Sequence, residues 1–447
     1  MNLLFILLFL LFNFVGQGFS FAMELSIDDA VDYAMKNNLD LKAKREELNI
    51  SKGNLTTALT YPFNPEISLE GRSLLSSGEN VKTGYRFGEK NEYSLYLSQT
   101  FETGGQREIR KDIALKNMDA VQLEIADMER LLTGEVKREF YNLASLEDKL
   151  KLSELSVDLS QKLLDVAEKR FRSGDTPKMD VNLARVELKS KESERVKVMG
   201  LLFLSKARSS SLLGLSPDTE ITVKGDNPLP PYSPLTKGGR GLVPLNKGGL
   251  RGLFKGDLPE DMSLKGLKEM AIKSRPDLMA LEIKERASDR EISLTKAEVS
   301  PDVRVSLLYN RDYDKEVYGA GVAIPIPVIN KNRGQIETLT AQKIRLNAQR
   351  ESLKLLIDKE VESAYLRLDS AKRSVELFKN EILPQLRENV DSLKRAYDAG
   401  RIGIYTIILE QQKLASNTAA YYDSLFEYNS ALSDLEVAAG GSIGGKR

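Results

Sequence analysis

The chain repeats itself, and that repeat limits the folds open to it more than any other feature. Leu25-Ser26-Ile27-Asp28-Asp29-Ala30, followed by Asn37-Asn38-Leu39-Asp40-Leu41, opens one half; Met262-Ser263-Leu264-Lys265-Gly266-Leu267, followed by Ser274-Arg275-Pro276-Asp277-Leu278, opens the other. Glu135-Val136-Lys137-Arg138-Glu139-Phe140 matches Glu360-Val361-Glu362-Ser363-Ala364-Tyr365, and Arg170-Phe171-Arg172-Ser173-Gly174 matches Ala396-Tyr397-Asp398-Ala399-Gly400. The elements keep one order in both halves, as a tandem duplication requires.

Each half reads as helix, two short strands, very long helix, tight turn and long helix. A first helix is expected from Ile27 to Leu59, ending before Tyr61-Pro62, because proline disfavours helix at the residue before it. Glu66 to Leu75 and Glu92 to Phe101 alternate polar and apolar residues, and a polar, glycine-containing loop, Ser76 to Asn91, separates them. Asp302 to Tyr309 and Tyr318 to Ile326 play the same part in the second half, with Pro325 and Pro327 ending the strand. Strands of roughly 9–10 residues suit a tilted crossing of a bilayer.

From Arg107 to about Arg172 no proline occurs. Some 65 helical residues rise about 100 Å, so the partner of such a helix must be another helix in a coiled-coil-like wall. Leu353, Ile357, Val361, Ala364, Leu368, Ala371, Val375, Phe378 and Ile382, spaced by threes and fours, read as its packing seam. The helix before the strands and the helix from Met179 to about Leu213 are each about half as long, so stacked end to end they match the long one. Two halves then give four wall-high columns and four strands. Four strands cannot close a barrel, and an open edge is not tolerated in lipid, so closure must come from several copies. Three copies give about 12 strands, within the range of membrane barrels; two give about 8, whose interior side chains fill.

Composition removes the competing classes. Lys and Arg number 65, and so do Asp and Glu, which argues against a nucleic-acid binder working through a positive field. With no Cys and no His, imidazole or thiolate metal sites, Ser-His and Cys-His nucleophiles, disulfides and N-terminal lipidation are all ruled out. No catalytic, cofactor or metal residues are expected, and no enzyme. Leu3 to Val15 is an apolar run of signal-peptide length, followed by Ser20-Phe21-Ala22, so cleavage is expected before Met23; the alternative is an uncleaved anchor.

The expected organisation is therefore a signal peptide at 1–22, a first repeat at 23–225, a linker at 226–260, a second repeat at 261–440 and a disordered tail at 441–447. The linker is rich in Pro, Gly, Lys and Arg and repeats Pro234-Leu235-Thr236-Lys237-Gly238-Gly239 as Pro244-Leu245-Asn246-Lys247-Gly248-Gly249. No Gly-Lys-Ser/Thr follows, so it reads as a flexible basic linker and not as a phosphate loop.

On these residues the chain resembles the outer-membrane efflux protein family, TolC-like channels, over nearly the whole mature chain. The two turns carry the likeness: Phe171-Arg172-Ser173-Gly174-Asp175-Thr176-Pro177-Lys178-Met179-Asp180 and Tyr397-Asp398-Ala399-Gly400-Arg401-Ile402-Gly403-Ile404-Tyr405. Phe101-Glu102-Thr103-Gly104-Gly105-Gln106-Arg107 is similar to the strand-to-helix segment of the heavy-metal efflux branch. The resemblance implies a mainly α chain with a small β part, forming a homotrimeric 12-stranded outer-membrane β-barrel continued by a long α-helical periplasmic barrel. It implies a passive efflux duct with no cofactor, partnered by outer-membrane lipid, a periplasmic adaptor and an inner-membrane pump of resistance-nodulation-division type. It implies that Arg172, Gly174, Asp175, Thr176, Pro177, Asp180, Gly400, Arg401 and Gly403 form the tips where the adaptor docks. Some relatives carry paired aspartates past the second tip; here the positions are Thr406 and Leu409 with Glu410 beside it, making Glu410 and Thr406 the candidate pore constriction. The alternatives are the duct of an ABC-driven type I secretion system and a periplasmic adaptor, but an adaptor would not duplicate helix–strand–strand–helix.

Overall fold

A computed structural model describes residues 23–73, 91–216, 219–224, 263–312, 315–441 and 443. The signal segment, the 226–260 linker and nearly all of the Ser76–Asn91 loop and the tail lie outside the described residues. The elements, in order, are β1 (Met23–Leu25), α1 (Ile27–Asn37), α2 (Leu39–Leu59), β2 (Glu66–Ser73), β3 (Asn91–Phe101), α3 (Gln106–Arg172), α4 (Lys178–Leu213) and β4 (Ile221–Val223). The second half follows with α5 (Leu264–Ser274), α6 (Pro276–Ala297), β5 (Val303–Asp312), β6 (Lys315–Ala323), α7 (Arg333–Leu377), a π turn (Phe378–Ile382), α8 (Leu383–Asp398) and α9 (Ile404–Ala439). The chain forms two compact units, 1–43 with 126–275 and 355–447, and 44–125 with 276–354.

The second unit holds a four-stranded antiparallel sheet in the order β2-β3-β5-β6. Its register sorts side chains by chemistry. Ile67, Leu97, Leu307 and Ala320 lie in one cross-strand row, and Leu69, Leu95, Tyr309 and Tyr318 in the next. Ser68, Tyr96, Leu308 and Gly319 fall between these rows, and Glu70, Ser94, Asn310 and Val317 fall just beyond the second. Because side chains alternate across a strand, one face is mainly apolar, with Gln99 within it and Arg311 and Glu316 at one end, and the other is mostly polar. Ser94 Oγ donates to Asn310 Oδ1 at 3.2 Å on the polar face. Among the described residues, β2 and β6 keep free outer edges. β6 starts and stops three residues earlier than expected, at Lys315 and Ala323; the early stop follows because Pro325 and Pro327 lack the N–H groups needed to extend the ladder.

Helices of this unit are tied by a carboxylate shared between halves. Glu124 of α3 accepts from Lys44 of α2 at 2.7 Å and pairs with Lys284 of α6. Burial alone would raise its pKa, but the two ammonium groups outweigh it and hold the carboxyl below its usual value. A carboxylate with a depressed folded pKa contributes stability above its unfolded pKa and loses it as pH falls. Wild-type stability should therefore fall more steeply below about pH 4.5 than that of Glu124→Gln; equal acid slopes in pH-dependent thermal melts would show the pair inert.

In the first unit, a parallel pair joins β1 to β4. Ser26 caps α1, accepting from Asp29 N at 3.1 Å, and Ser263 caps α5, accepting from Gly266 N at 3.2 Å. The first helix is not continuous: it breaks at Asn38, whose ψ is 127°. Asn38 Oδ1 accepts from Leu41 N at 2.9 Å and starts α2, while its Nδ2 donates to Leu212 O at 3.0 Å, the end of α4. An asparagine side chain can replace helical backbone bonds locally, which is why the break falls there. The second half breaks at the matching place, Arg275, forced by Pro276. α3 and α9 approach closely at Gly134, where an added Cβ would lie 2.3 Å from Val437 Cγ2.

The seam on α7 follows the expected spacing from Ile357 through Val375, all of whose members are buried. It then departs from it. Phe378 and Ile382 are half-buried, and Leu383, Val390 and Tyr397 take over. The π turn adds a residue to the helical repeat, which moves the seam by one position.

Candidate functional site

The two turns are built alike and packed together in the first unit. Both connect helices through five residues, Ser173–Pro177 and Ala399–Gly403. Gly174 N donates to Phe171 O (3.1 Å) and Asp175 N to Arg170 O (2.8 Å); Gly400 N donates to Tyr397 O (2.9 Å) and Arg401 N to Ala396 O (2.9 Å). This pair of bonds is the Schellman arrangement, which needs a left-handed residue after the helix. Gly174 has φ 81° and Gly400 φ 70°. The next helix starts after an extended residue, Pro177 in one turn and Gly403 in the other.

An apolar cluster holds the hairpins together: Leu163, Leu164 and Ala167 of α3, Val181, Ala184 and Leu188 of α4, Tyr397 of α8 and Ile404, Ile407 and Ile408 of α9. The matching positions Phe171 and Tyr397 behave oppositely, Phe171 standing exposed and Tyr397 buried. Arg170 accounts for the difference. Its guanidinium lies 4.7 Å from the Tyr397 ring centre and donates to Tyr397 O at 3.2 Å. A cation over an aromatic face plus one charge-assisted bond contributes about 1–3 kcal/mol. Arg170→Ala should then speed amide exchange across residues 396–403 by roughly tenfold or more; unchanged protection would show that the apolar cluster alone fixes the tip.

The structure brings most of the expected tip residues to these turns. Arg172, Gly174, Asp175, Pro177, Gly400, Arg401 and Gly403 are exposed, and Thr176 and Asp180 are half-buried. Arg172 pairs with Glu168 at 3.6 Å, and Glu168 also accepts from Arg185 at 3.1 Å. Past the second turn, Tyr405, Thr406 and Leu409 are exposed. Glu410 is largely covered: it accepts from Lys413 at 3.2 Å and from Asn389 of α8 at 3.4 Å. Sequence reasoning missed Glu187, a buried carboxylate that accepts from Gln412 and lies 4.0 Å from Lys191. The signal was present, because Glu187 sits three residues after Ala184 of the seam and four before Lys191.

A second concavity, in the other unit, is lined by Asn54, Thr57, Tyr61, Arg110, Asn117 and Glu291. Burial pushes the Glu291 carboxyl up, while Arg110 is already committed to Glu102 at 2.8 Å.

Comparison with known proteins points in one direction. The family model described as outer membrane efflux protein matches residues 30–214 and 267–441. The cobalt-zinc-cadmium resistance protein CzcC of Cupriavidus metallidurans is 20% identical over 418 residues, covering 93% of this chain and 90% of that protein. The pyoverdine export outer membrane protein OpmQ of Pseudomonas putida is 22% identical, covering 87% of this chain and 80% of that protein. Among solved structures, the outer membrane protein VceC of Vibrio cholerae superposes with a TM-score of 0.71 at 16% identity, covering 93% of this chain and 96% of that one.

Proposed function

The chain belongs to the outer membrane efflux protein family, and from that premise we propose that it is the outer-membrane channel subunit of a tripartite efflux system. It conducts substrates passively from an inner-membrane pump and a periplasmic adaptor to the exterior. The observation that carries this reading is the four-stranded sheet with one apolar face, one mostly polar face and two free edges. Such a sheet is satisfied when copies join edge to edge, with the apolar rows toward lipid and the polar rows toward a lumen. Three copies close about 12 strands, and the helices of the two repeats, 23–225 and 261–440, continue the wall through the periplasm.

In this reading the turns at Gly174 and Gly400 are the periplasmic end, where the hairpins of an adaptor dock. Arg172, Asp175, Thr176, Pro177, Asp180, Arg401 and Gly403 supply the docking surface, and the exposure of Arg172, Asp175, Pro177, Arg401 and Gly403 supports it. Thr406 and Glu410 line the narrowest passage behind the second turn. Glu410 is held by Asn389 and Lys413, so it acts there as a fixed charge and not as a swinging gate. Similarity to CzcC and the Phe101–Arg107 segment support the heavy-metal branch with a resistance-nodulation-division pump. The energy source lies in the pump, and the duct contributes a closed hydrogen-bonded wall. Planar-bilayer recording tests the resting state: the isolated protein should conduct poorly, with tips closed, and conductance should rise on adding adaptor. A high conductance without partners would contradict a gate at the tips.

A further inference from the structure

The two halves differ where the strands leave the sheet. After Phe101 the first half turns polar: Glu102 takes up Arg110, and Thr103 Oγ1 donates to Pro301 O at 2.7 Å. After Ala323 the second half runs Ile324-Pro325-Ile326-Pro327-Val328-Ile329, and its apolar members are 52%, 80%, 71% and 98% exposed. We propose that this strap lies in the acyl region of the periplasmic leaflet of the membrane, and that Lys331 and Arg333 bind the phosphates of anionic phospholipid headgroups there. The proposal rests on the barrel reading above and extends it to one lipid site per subunit.

Continuity with the lipid-facing rows is the first argument. On β6 that row is Tyr318, Ala320 and Val322, opposite Tyr309, Leu307 and Val305. Within the ladder it spans only four residue steps, about 9 Å along the membrane normal for a strand tilted ~45°. The matching row on β3, Tyr93 to Phe101 with Gln99 in it, spans eight residue steps, about 19 Å. Ile324 and Ile326 keep the period of two and bring the β6 row to the same eight steps. Without the strap this strand would present a band well short of the ~25 Å apolar belt of membrane barrels.

The second argument is backbone chemistry. Leaving the ladder inside lipid exposes N–H donors that nothing can satisfy. Pro325 and Pro327 have no N–H to lose. Val328 N donates to Ile326 O at 2.8 Å around Pro327, a tight three-residue turn that suits the fixed φ of proline.

Charge gives the third. The strap ends in a turn locked by Asn332, at φ 53°, whose side chain donates to Thr295 O at 3.2 Å and whose N–H donates to Asn330 Oδ1 at 3.0 Å. Lys331 and Arg333 flank that turn, exposed and without an ion pair among the described residues. Two cations at the end of an apolar segment match the phosphate layer beneath the acyl chains.

The chain contains no tryptophan, so single tryptophans report without background. Ile326→Trp, with Val328→Trp as a second probe, is reconstituted as the full-length oligomer in vesicles of brominated phosphatidylcholine or phosphatidylglycerol. Leu69→Trp on the sheet's apolar face serves as the lipid-contact reference. Strap probes should be quenched as strongly as the reference. Phosphatidylglycerol should be preferred by roughly tenfold or more at the strap, and Lys331→Gln/Arg333→Gln should abolish that preference while leaving quenching intact. Unquenched strap probes beside a quenched Leu69→Trp would overturn the proposal and put a neighbouring subunit over the strap. Equal quenching by both lipids, unaltered by the double variant, would overturn the headgroup assignment. An assembled protein in which Leu69→Trp is also unquenched would overturn the barrel reading itself, and the proposal with it.

Discussion

Gly214→Val and Gly440→Val should each lose about 2–5 kcal/mol of stability, enough to abolish the folded channel in most marginally stable chains. Both glycines end a long helix at positive φ, 69° and 81°. Both also form the Schellman bonds seen at the tips, with Leu215 N donating to Ser210 O (2.8 Å) and Gly441 N to Glu436 O (3.0 Å). What sets them apart from the tips is crowding. A Cβ on Gly214 would lie 2.5 Å from Asn37 O, and one on Gly440 2.5 Å from Ser274 Oγ. Each helix end is seated against the break between the two helices that open its own half. A β-branched residue therefore meets strain in the backbone and a collision outside it. Gly200→Ala, on the same helix as Gly214 with nothing near its Cβ position, should leave the melting temperature unchanged or slightly raised. Thermal melts of the detergent-extracted protein read both, and wild-type melting of Gly214→Val would mean that the helix end is not docked at Asn38.

Arginine on the apolar face of the sheet should prevent assembly. Leu95 sits mid-strand between Leu69 and Tyr309, and a charge at mid-membrane costs about 2–4 kcal/mol per site. In a symmetric assembly every copy carries that cost. Ser94→Arg, one residue away on the polar face beside Asn310, introduces the same charge toward water and should assemble normally. The contrast controls for bulk and charge, leaving only which face meets lipid. Recovery of both variants as equal amounts of oligomer from outer membranes would contradict the assignment of faces.

The long elements were legible because their signals are strong and repeated. The proline-free run from Arg107 to Arg172 became a 67-residue helix, and the alternation Tyr93, Leu95, Leu97 became the apolar face of β3. The turns at Gly174 and Gly400 were legible from glycine chemistry alone. Local departures were not. Asn38 breaks its helix by bonding the end of α4, a contact 174 residues away in sequence. The π turn at Phe378–Ile382 shifts the seam without any change in composition, since a bulge alters phase and not polarity. The burial of Tyr397 opposite an exposed Phe171 depends on Arg170 reaching across between hairpins, which no spacing rule encodes. At the candidate site the positions of the two turns could be read directly. The pairings of Glu410 with Asn389 and of Glu187 with Gln412 needed the fold.

The central claim is that the sheet completes a membrane barrel only in company. Membrane fractionation followed by native mass measurement of the detergent-extracted protein tests it most directly: a trimer recovered from the outer membrane is the predicted result, and a soluble periplasmic monomer, or a protein held in the inner membrane, would contradict it.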